Sequence, residues 1–310
     1  MILVTGAAGF VGGHVVHALR ADGRPVRALV RDRRKGGERL EAWGCEVVEG
    51  DITKPETLRA ALEGDVTKPE TLRAALEGCD AVIHLVAIRQ GRAEQFQRVM
   101  VDGTRNLIAA AREAGVGRFI HMSALGVSEE TKDLVPYFGA KWQMEQDVKA
   151  AEIPHVIFRP SFIFAKDGGI LPTFAKLARL TPVTPIIGGG RQRIQPIWAD
   201  DVGAYFSKAV DLDGVTGRTF ELGGPEAVTW NEFWERLKRV RGIRRPSLHM
   251  PMSLMRMNAL VTERLPGNIP LTRDLLKMLE AGDNVVTDTS AVDVFALPLV
   301  PLDEQLRRAA

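Results

Sequence analysis

The sequence predicts an α/β protein built on a doubly wound parallel sheet, with a smaller C-terminal lobe for substrate. Three observations carry that prediction. Apolar runs of strand length alternate with stretches of helical period up to Arg159. The first run ends in a glycine turn, TGAAGFVGG, and beyond Arg159 the alternation dissolves into a segment crowded with proline and glycine.

Residues 2–5 (ILVT) read as the first strand, a helical pattern follows through Val11, Val15, Val16 and Leu19, and Pro25–Val30 supplies the second strand. Further strands fall near 46–50, 80–86, 118–123 and 154–159, with helical patterns near 94–114 and 137–151. The stretch FAKDGGILPTFAKLARLTPVTPIIGGGRQRIQP reads as loops and short elements capping the sheet, followed by a helix at about 200–210. From Thr219 onward a strand-like TFELGG, a helix over 229–241 and a Met-rich segment over 250–265 form the smaller lobe. The expected division is therefore 1–160 as a dinucleotide-binding domain, with 199–220 packing back onto it, and 161–198 with 221–310 as a substrate-binding lobe.

The chain has 310 residues, 45% of them apolar, which is enough for a sizeable core. Its 41 basic and 39 acidic residues nearly cancel to +2, so no broad basic field invites nucleic acid, and a small-molecule substrate is the better partner. Cys45 and Cys79 lack metal-site spacing and make too thin a disulfide framework, which points to no metal and a reducing compartment. MILVTG runs straight into a glycine turn with no signal-peptide pattern, and no apolar run reaches membrane-spanning length. The expected location is the cytoplasm.

The glycine turn places Gly6, Gly9 and Gly12 at the junction of strand and helix, with Phe10 and Val11 between the last two. Glycine there permits a tight turn, close approach of backbone to pyrophosphate and close helix packing, while the helix N-terminus offers unsatisfied N–H groups to the phosphates. Strand before and helix after supply the context of a Rossmann-type site. The end of the second strand, ALVRDRRKGG, selects the cofactor: Arg31 can accept a 2′-phosphate, whereas Asp32 would bind ribose hydroxyls. Arg31 and the basic loop favour NADP(H), and Asp32 keeps NAD(H) open.

Tyr137 and Lys141 stand at helical spacing i and i+4, where a lysine ammonium can lower a phenol pKa and make the tyrosine a proton donor or acceptor. The pair opens the helix that follows RFIHMS, whose Ser123 falls at the carboxyl edge of the sheet, where open α/β sheets bind ligands. His84 and His121 lie inside apolar strands and read as satisfied core histidines. Asp200 and Asp201 precede a helix and suit its first turn, while Met250, Met252, Met255 and Met257 read as core or lid packing.

Residues 51–78, DITKPETLRAALEGDVTKPETLRAALEG, are one fourteen-residue unit written twice, with Ile52 against Val66 the single difference. Each copy specifies a helix: Thr53 with Glu56 and Thr67 with Glu70 have capping-box spacing, Pro55 and Pro69 stand in the first turn, and Gly64 and Gly78 end the units. One of the two helices is expected to protrude at the sheet's edge, with its leucines available to a partner chain.

In TGAAGFVG, EGD, DAVIHLVA, DGTRNLIAAAREAGV, Tyr137 to Lys141, FRPSFIF and ELGGPEAVT the chain resembles the short-chain dehydrogenase/reductase superfamily, in its extended epimerase/dehydratase-like branch. IIGGGRQRIQPIWADDVG and DNVVTD look most like the atypical group that includes the nucleotide-binding accessory subunit of respiratory complex I. The resemblance implies Tyr137 as acid/base, Lys141 on the nicotinamide ribose, Ser123 orienting a substrate oxygen, and Asp51 or Asp65 on adenine. It also implies Leu85, Val86 and Ala87 along the adenosine, Pro160 and Ser161 by the nicotinamide, and a homodimer through the helices near 94–114 and 137–151. Because a strand-like run precedes only the first copy, Asp51 with Ile52 is expected at the adenine. The chain departs from the family pattern at Met100-Val101-Asp102, where asparagine is common, and at Met122-Ser123-Ala124, where a longer Ser/Thr run is common.

The resulting expectation is an NAD(P)-dependent oxidoreductase that moves hydride while Tyr137 moves the proton. Its alternatives are a nucleotide-sugar epimerase or dehydratase, and a non-catalytic nucleotide-binding subunit or redox sensor.

Overall fold

The computed structural model describes residues 1–54, 75–263 and 272–309. In chain order the strands are β1 (Ile2–Thr5), β2 (Val26–Val30), β3 (Glu46–Glu49), β4 (Ala81–His84), β5 (Arg118–Met122), β6 (His155–Pro160), β7 (Ile163–Phe164), β8 (Thr184–Ile187), β9 (Arg193–Ile194), β10 (Ile197–Trp198), β11 (Arg218–Leu222), β12 (Val228–Thr229) and β13 (Ser247–Met250). The helices are α1 (Phe10–Ala21), α2 (Gly37–Ala42), α3 (Ala93–Phe96), α4 (Gly103–Glu113), α5 (Pro136–Lys149), α6 (Leu171–Leu180), α7 (Ala199–Lys208), α8 (Trp230–Val240), α9 (Met252–Thr262), α10 (Arg273–Glu280), α11 (Ser290–Phe295) and α12 (Leu302–Arg308). A π-helical turn, Gln97–Asp102, joins α3 to α4.

One sheet has the order β11-β6-β5-β4-β1-β2-β3. Its first six strands in the chain run parallel, pairing β1 with β2 and β4, β2 with β3, β4 with β5, and β5 with β6. β1, β2 and β4 are buried along their whole length, which is why the sequence shows unbroken apolar runs there instead of alternation. Strand order reverses between β1 and β4. At their carboxyl ends Thr5 is flanked by Leu29 on one side and His84 on the other, so the crevice of a doubly wound fold opens beside Thr5.

By contact the chain divides into two units: Met1–Pro160 with Ala199–Glu221 and Asp288–Leu297, and Ser161–Trp198 with Leu222–Thr287 and Pro298–Ala310. The first holds the sheet and its core. Gly203 lets α7 lie directly on α1, since a Cβ there would come within 2.7 Å of the His14 carbonyl oxygen. Asp200 and Asp201 occupy the first turn of α7, and Asp200 meets His14 Nδ1 at 2.6 Å. Phe158 is ringed by Tyr205, Phe206, Phe220 and Phe295.

The second unit pairs β7 with β10, β9 with β12 and β8 with β13 around an aromatic cluster of Phe164, Phe174, Trp230, Phe233 and Trp234. Thr229 caps α8 in a reciprocal capping box with Glu232. Of the methionines expected in packing, Met255 is buried and Met250 and Met252 pack beside it, but Met257 is 59% exposed. The period of α9 turns Met257 away from the Met255–Ala259 stripe, so it belongs to the solvent face.

Two further differences from the sequence reading concern the first unit. The helical pattern over 94–114 is present, but at Gln97–Asp102 the backbone widens into the π turn, and the Thr104 hydroxyl donates to the Met100 carbonyl within it. Of the doubled stretch, Asp51–Lys54 and Ala75–Gly78 are described, whereas Glu56, Asp65, Thr67, Glu70 and both predicted helices lie outside the described residues. The described ends are firmly held. Ile52 is buried beneath Gly103 and its carbonyl accepts from Asn106 Nδ2, while Arg27 donates to the carbonyls of Ala75 and Glu77.

Candidate functional site

The turn after β1 is built for close approach. Gly6 has φ +76°, in the left-handed region that glycine tolerates, and a Cβ on Gly12 would stand 2.1 Å from the Gly6 carbonyl oxygen. Gly9 N–H donates to Gly6 O and caps the entry into α1. The N-terminus of α1 therefore lies tight against the strand edge with its first N–H groups pointing outward.

Beside this turn is a cavity of about 630 Å³. Of the residues singled out from sequence, Gly6, Gly9, Arg31, Asp32, Asp51, Ile52, Leu85, Val86 and Ala87 line it. Phe10, Val11 and Gly12 do not; they sit in the first turn of α1, with Val11 and Gly12 buried. Ala8, Lys35, Ile88 and Val99 also line it without having been named as site residues. Lys35 was visible in the basic loop, but Val99 reaches the cavity through the π turn, which no sequence period announces.

The charges at the β2 end divide unequally. Asp32 accepts from the Arg34 N–H at 3.0 Å and lies 3.5 and 3.8 Å from the Arg34 and Lys35 cations. Arg31 is exposed and has no hydrogen-bond or ion-pair partner among the described residues. Asp51 at the β3 end accepts from the N–H and hydroxyl of Thr53, so the carboxylate holds its own turn.

The other cluster surrounds α5. Tyr137 is half-buried against Phe96, Met100, Val101, Ala140 and Met144, together with the cavity residues Ala87 and Ile88. Burial pushes its phenol up to about 12, and the Arg89 charge opposes this only in part. The expectation that Lys141 lowers the phenol is thus overturned, because Lys141 turns into the sheet and donates to the Met122 carbonyl at 2.5 Å. Lys141 is fully buried; burial brings it down to about 7 against the opposing pull of Glu145. Glu145 is itself buried and held by both forks of Arg159, at 2.8 and 2.7 Å.

Ser123 does not stand free at the sheet edge. It is buried, and its Oγ finds no partner among the described residues. Pro160 is buried at the end of β6, where its carbonyl accepts from Leu125 N–H. Ser161, in the second unit, gives its hydroxyl to Asn284 Oδ1 at 2.5 Å. His84 is satisfied as expected, by Thr5 and Thr104, but neither ring nitrogen of His121 meets a hydrogen-bonding side chain. Burial therefore takes His121 well below the usual histidine range, helped by the Lys141 charge.

A parallel, doubly wound sheet with a glycine turn at its switch point defines a protein of the dinucleotide-binding fold. A model of the NmrA-like family matches residues 1–221, and the chain belongs to that family. Photosystem II assembly factor Ycf39 of Guillardia theta is 27% identical over 254 residues, covering 82% of this chain and 74% of that protein. A 4-hydroxy-2-methyl-3-oxo-4-farnesyl-3,4-dihydroquinoline-1-oxide ketoreductase of Stigmatella aurantiaca is 29% identical over 282 residues, covering 84% and 79%. Subunit 9 of the mitochondrial NADH dehydrogenase 1 alpha subcomplex of Arabidopsis thaliana is 27% identical over 243 residues, covering 75% and 56%, in line with the resemblance read from sequence.

Two solved structures share the fold. The NADPH-dependent quinone oxidoreductase of Escherichia coli, complexed with NADPH, superposes with a TM-score of 0.75 at 20% identity, covering 99% of this chain and 98% of that one. The UDP-glucose 4-epimerase of Thermotoga maritima, with UDP-glucose, gives 0.73 at 19% identity, covering 99% and 96%. Among the described residues no helix is long and apolar enough to cross a membrane.

Proposed function

We propose that the chain is an NADP(H)-dependent reductase acting on a carbonyl in an apolar molecule. The observation that carries this reading is the cavity that runs from the glycine turn to an unpartnered Arg31 at one side and to the Leu85–Ala87 edge at the other. The fit to a dinucleotide rests on Gly12, where a side chain would fill the close approach, and on Arg31, whose guanidinium has no protein acceptor. Gly6, Gly9 and the N-terminus of α1 would hold the pyrophosphate, Arg31 the 2′-phosphate, Asp51 and Ile52 the adenine, and Leu85–Ala87 the adenosine wall. Lys141 and Pro160 are proposed at the nicotinamide.

When bound, the nicotinamide supplies the hydride to the carbonyl carbon. The Tyr137 hydroxyl, which makes no hydrogen bond among the described residues, gives its proton to the carbonyl oxygen, so the product is the alcohol. A phenol held at about 12 keeps that proton at neutral pH and still protonates the far more basic alkoxide. The apolar substrate class is suggested by the farnesyl-bearing substrate in the name of the Stigmatella aurantiaca relative.

The test follows NADPH absorbance against a panel of quinones and long-chain ketones, with the Tyr137→Phe variant beside the wild type. Turnover that vanishes in the variant while NADPH still binds supports the reading. Turnover that persists removes Tyr137 from the proton step. The burial of Tyr137 and Lys141 favours a second reading, a non-catalytic NADP(H)-binding subunit, which would bind NADPH and reduce nothing on the panel.

A further inference from the structure

Thr5, His84, Thr104 and the Met100 carbonyl form a hydrogen-bonded chain with a single direction. Thr104 Oγ1 contacts the Met100 carbonyl, which can only accept, so the Thr104 proton is committed there. His84 Nε2 lies 3.0 Å from the same Oγ1 and must therefore carry the proton it donates. Burial, aided by the Lys141 charge, lowers His84 to about 3, so the ring is neutral and Nδ1 is an acceptor. The Thr5 hydroxyl, 2.7 Å away, donates to it. Thr5 thus gives to His84, His84 to Thr104, and Thr104 to the backbone.

The two ends of this chain are the two halves of the site. Thr5 closes β1 and immediately precedes Gly6 of the glycine turn. Met100 lies in the π turn and packs with Phe96, Val101, Ala140 and Met144 in the cluster that seats Tyr137. A π turn carries an extra residue, and losing it would rotate the neighbouring side chains by about 100° about the helix axis. Holding the Met100 carbonyl therefore holds the face on which Tyr137 rests. His84 is hemmed in from every side: Thr5 on β1, Thr104 on α4, Phe119 and the stacked His121 ring at 5.5 Å on β5, and the Lys141 charge from α5.

We propose that His84 and Thr104, with Thr5, are positioning residues that lock the π turn and fix Tyr137 relative to the glycine turn. This rests on the reading of Tyr137 as the proton donor.

The test compares Thr104→Val, which keeps the shape and removes the hydroxyl, with Thr104→Ser, which restores it. The readout is carbon-13 NMR of the tyrosine ring carbons in the full chain, whose two tyrosines are Tyr137 and Tyr205, assigned through Tyr137→Phe. The Tyr137 signal should shift and broaden in Thr104→Val, return in Thr104→Ser, and leave Tyr205 unmoved. Nitrogen-15 NMR should show His84 with its proton on Nε2. Where the panel above yields turnover, Thr104→Val should lower kcat by about tenfold to a hundredfold with KM for NADPH nearly unchanged. A folded Thr104→Val with the wild-type Tyr137 signal, or a His84 protonated on Nδ1, overturns the proposal. If Thr104→Val does not fold, Thr5→Val interrupts the other end and is read the same way. A wild type without turnover would instead defeat the proposed activity, and the NMR arms would still decide the positioning role.

Discussion

At the proposed adenosine side, the ends of β2 and β3, the cavity is open and Arg31 is exposed, whereas at α5 Tyr137 is half-buried, Lys141 is fully buried and both lie far from their ordinary values. Arg31 stands exposed beside the cavity, and the glycine turn already has the shape that a phosphate requires. Tyr137 at about 12 and Lys141 at about 7 have each been moved toward the neutral form by burial. Binding needs solvated donors in place before the ligand arrives. Proton donation needs a group that keeps its proton until the alkoxide forms, and burial provides that without an added charge.

The strongest way to break this contrast is Gly12→Val. Its Cβ would lie 2.1 Å from the Gly6 carbonyl, so the glycine turn must shift, and NADPH affinity should fall about a hundredfold, equivalent to roughly 3 kcal/mol of overpacking. Isothermal titration reads the loss, and an unchanged Tyr137 NMR signal would show that the α5 side is untouched. A smaller effect is expected for Arg31→Ala, which should weaken NADPH by about tenfold and leave NADH unchanged, as the loss of one charge-assisted contact requires.

The smallest effect is on stability against pH. Lys141 falls from 10.5 to about 7 on folding, so between those values the unfolded chain binds more protons and stability rises with pH. Tyr137 and Tyr205 move the other way, from 10 to about 12 through burial, so they remove stability over that higher window. Thermal melts should show the first rise in the wild type and not in Lys141→Met. At pH 7 the variant should melt no lower, since an apolar side chain replaces a buried cation.

The sheet and the glycine turn were legible because burial on both faces writes unbroken apolar runs, and because Gly6 and Gly12 occupy positions where a Cβ has no room. The Tyr137–Lys141 spacing was legible too, but not its electrostatics: helical spacing places two residues on one face and cannot say that Lys141 will find the Met122 carbonyl. The π turn escaped for a related reason. A one-residue widening of the backbone has no residue type of its own, and the carbonyl that Thr104 meets at Met100 is one every residue carries. His121 was misread as satisfied because strand position predicts burial and does not predict partners.

The claim at the centre of this account is that the β2 end is an NADP(H) site. Paired titrations of the wild-type chain with NADPH and with NADH test it most directly. NADPH should bind at least about tenfold more tightly, through the unpartnered Arg31. Equal binding, or tighter binding of NADH, would show that Asp32 governs the pocket and would contradict it.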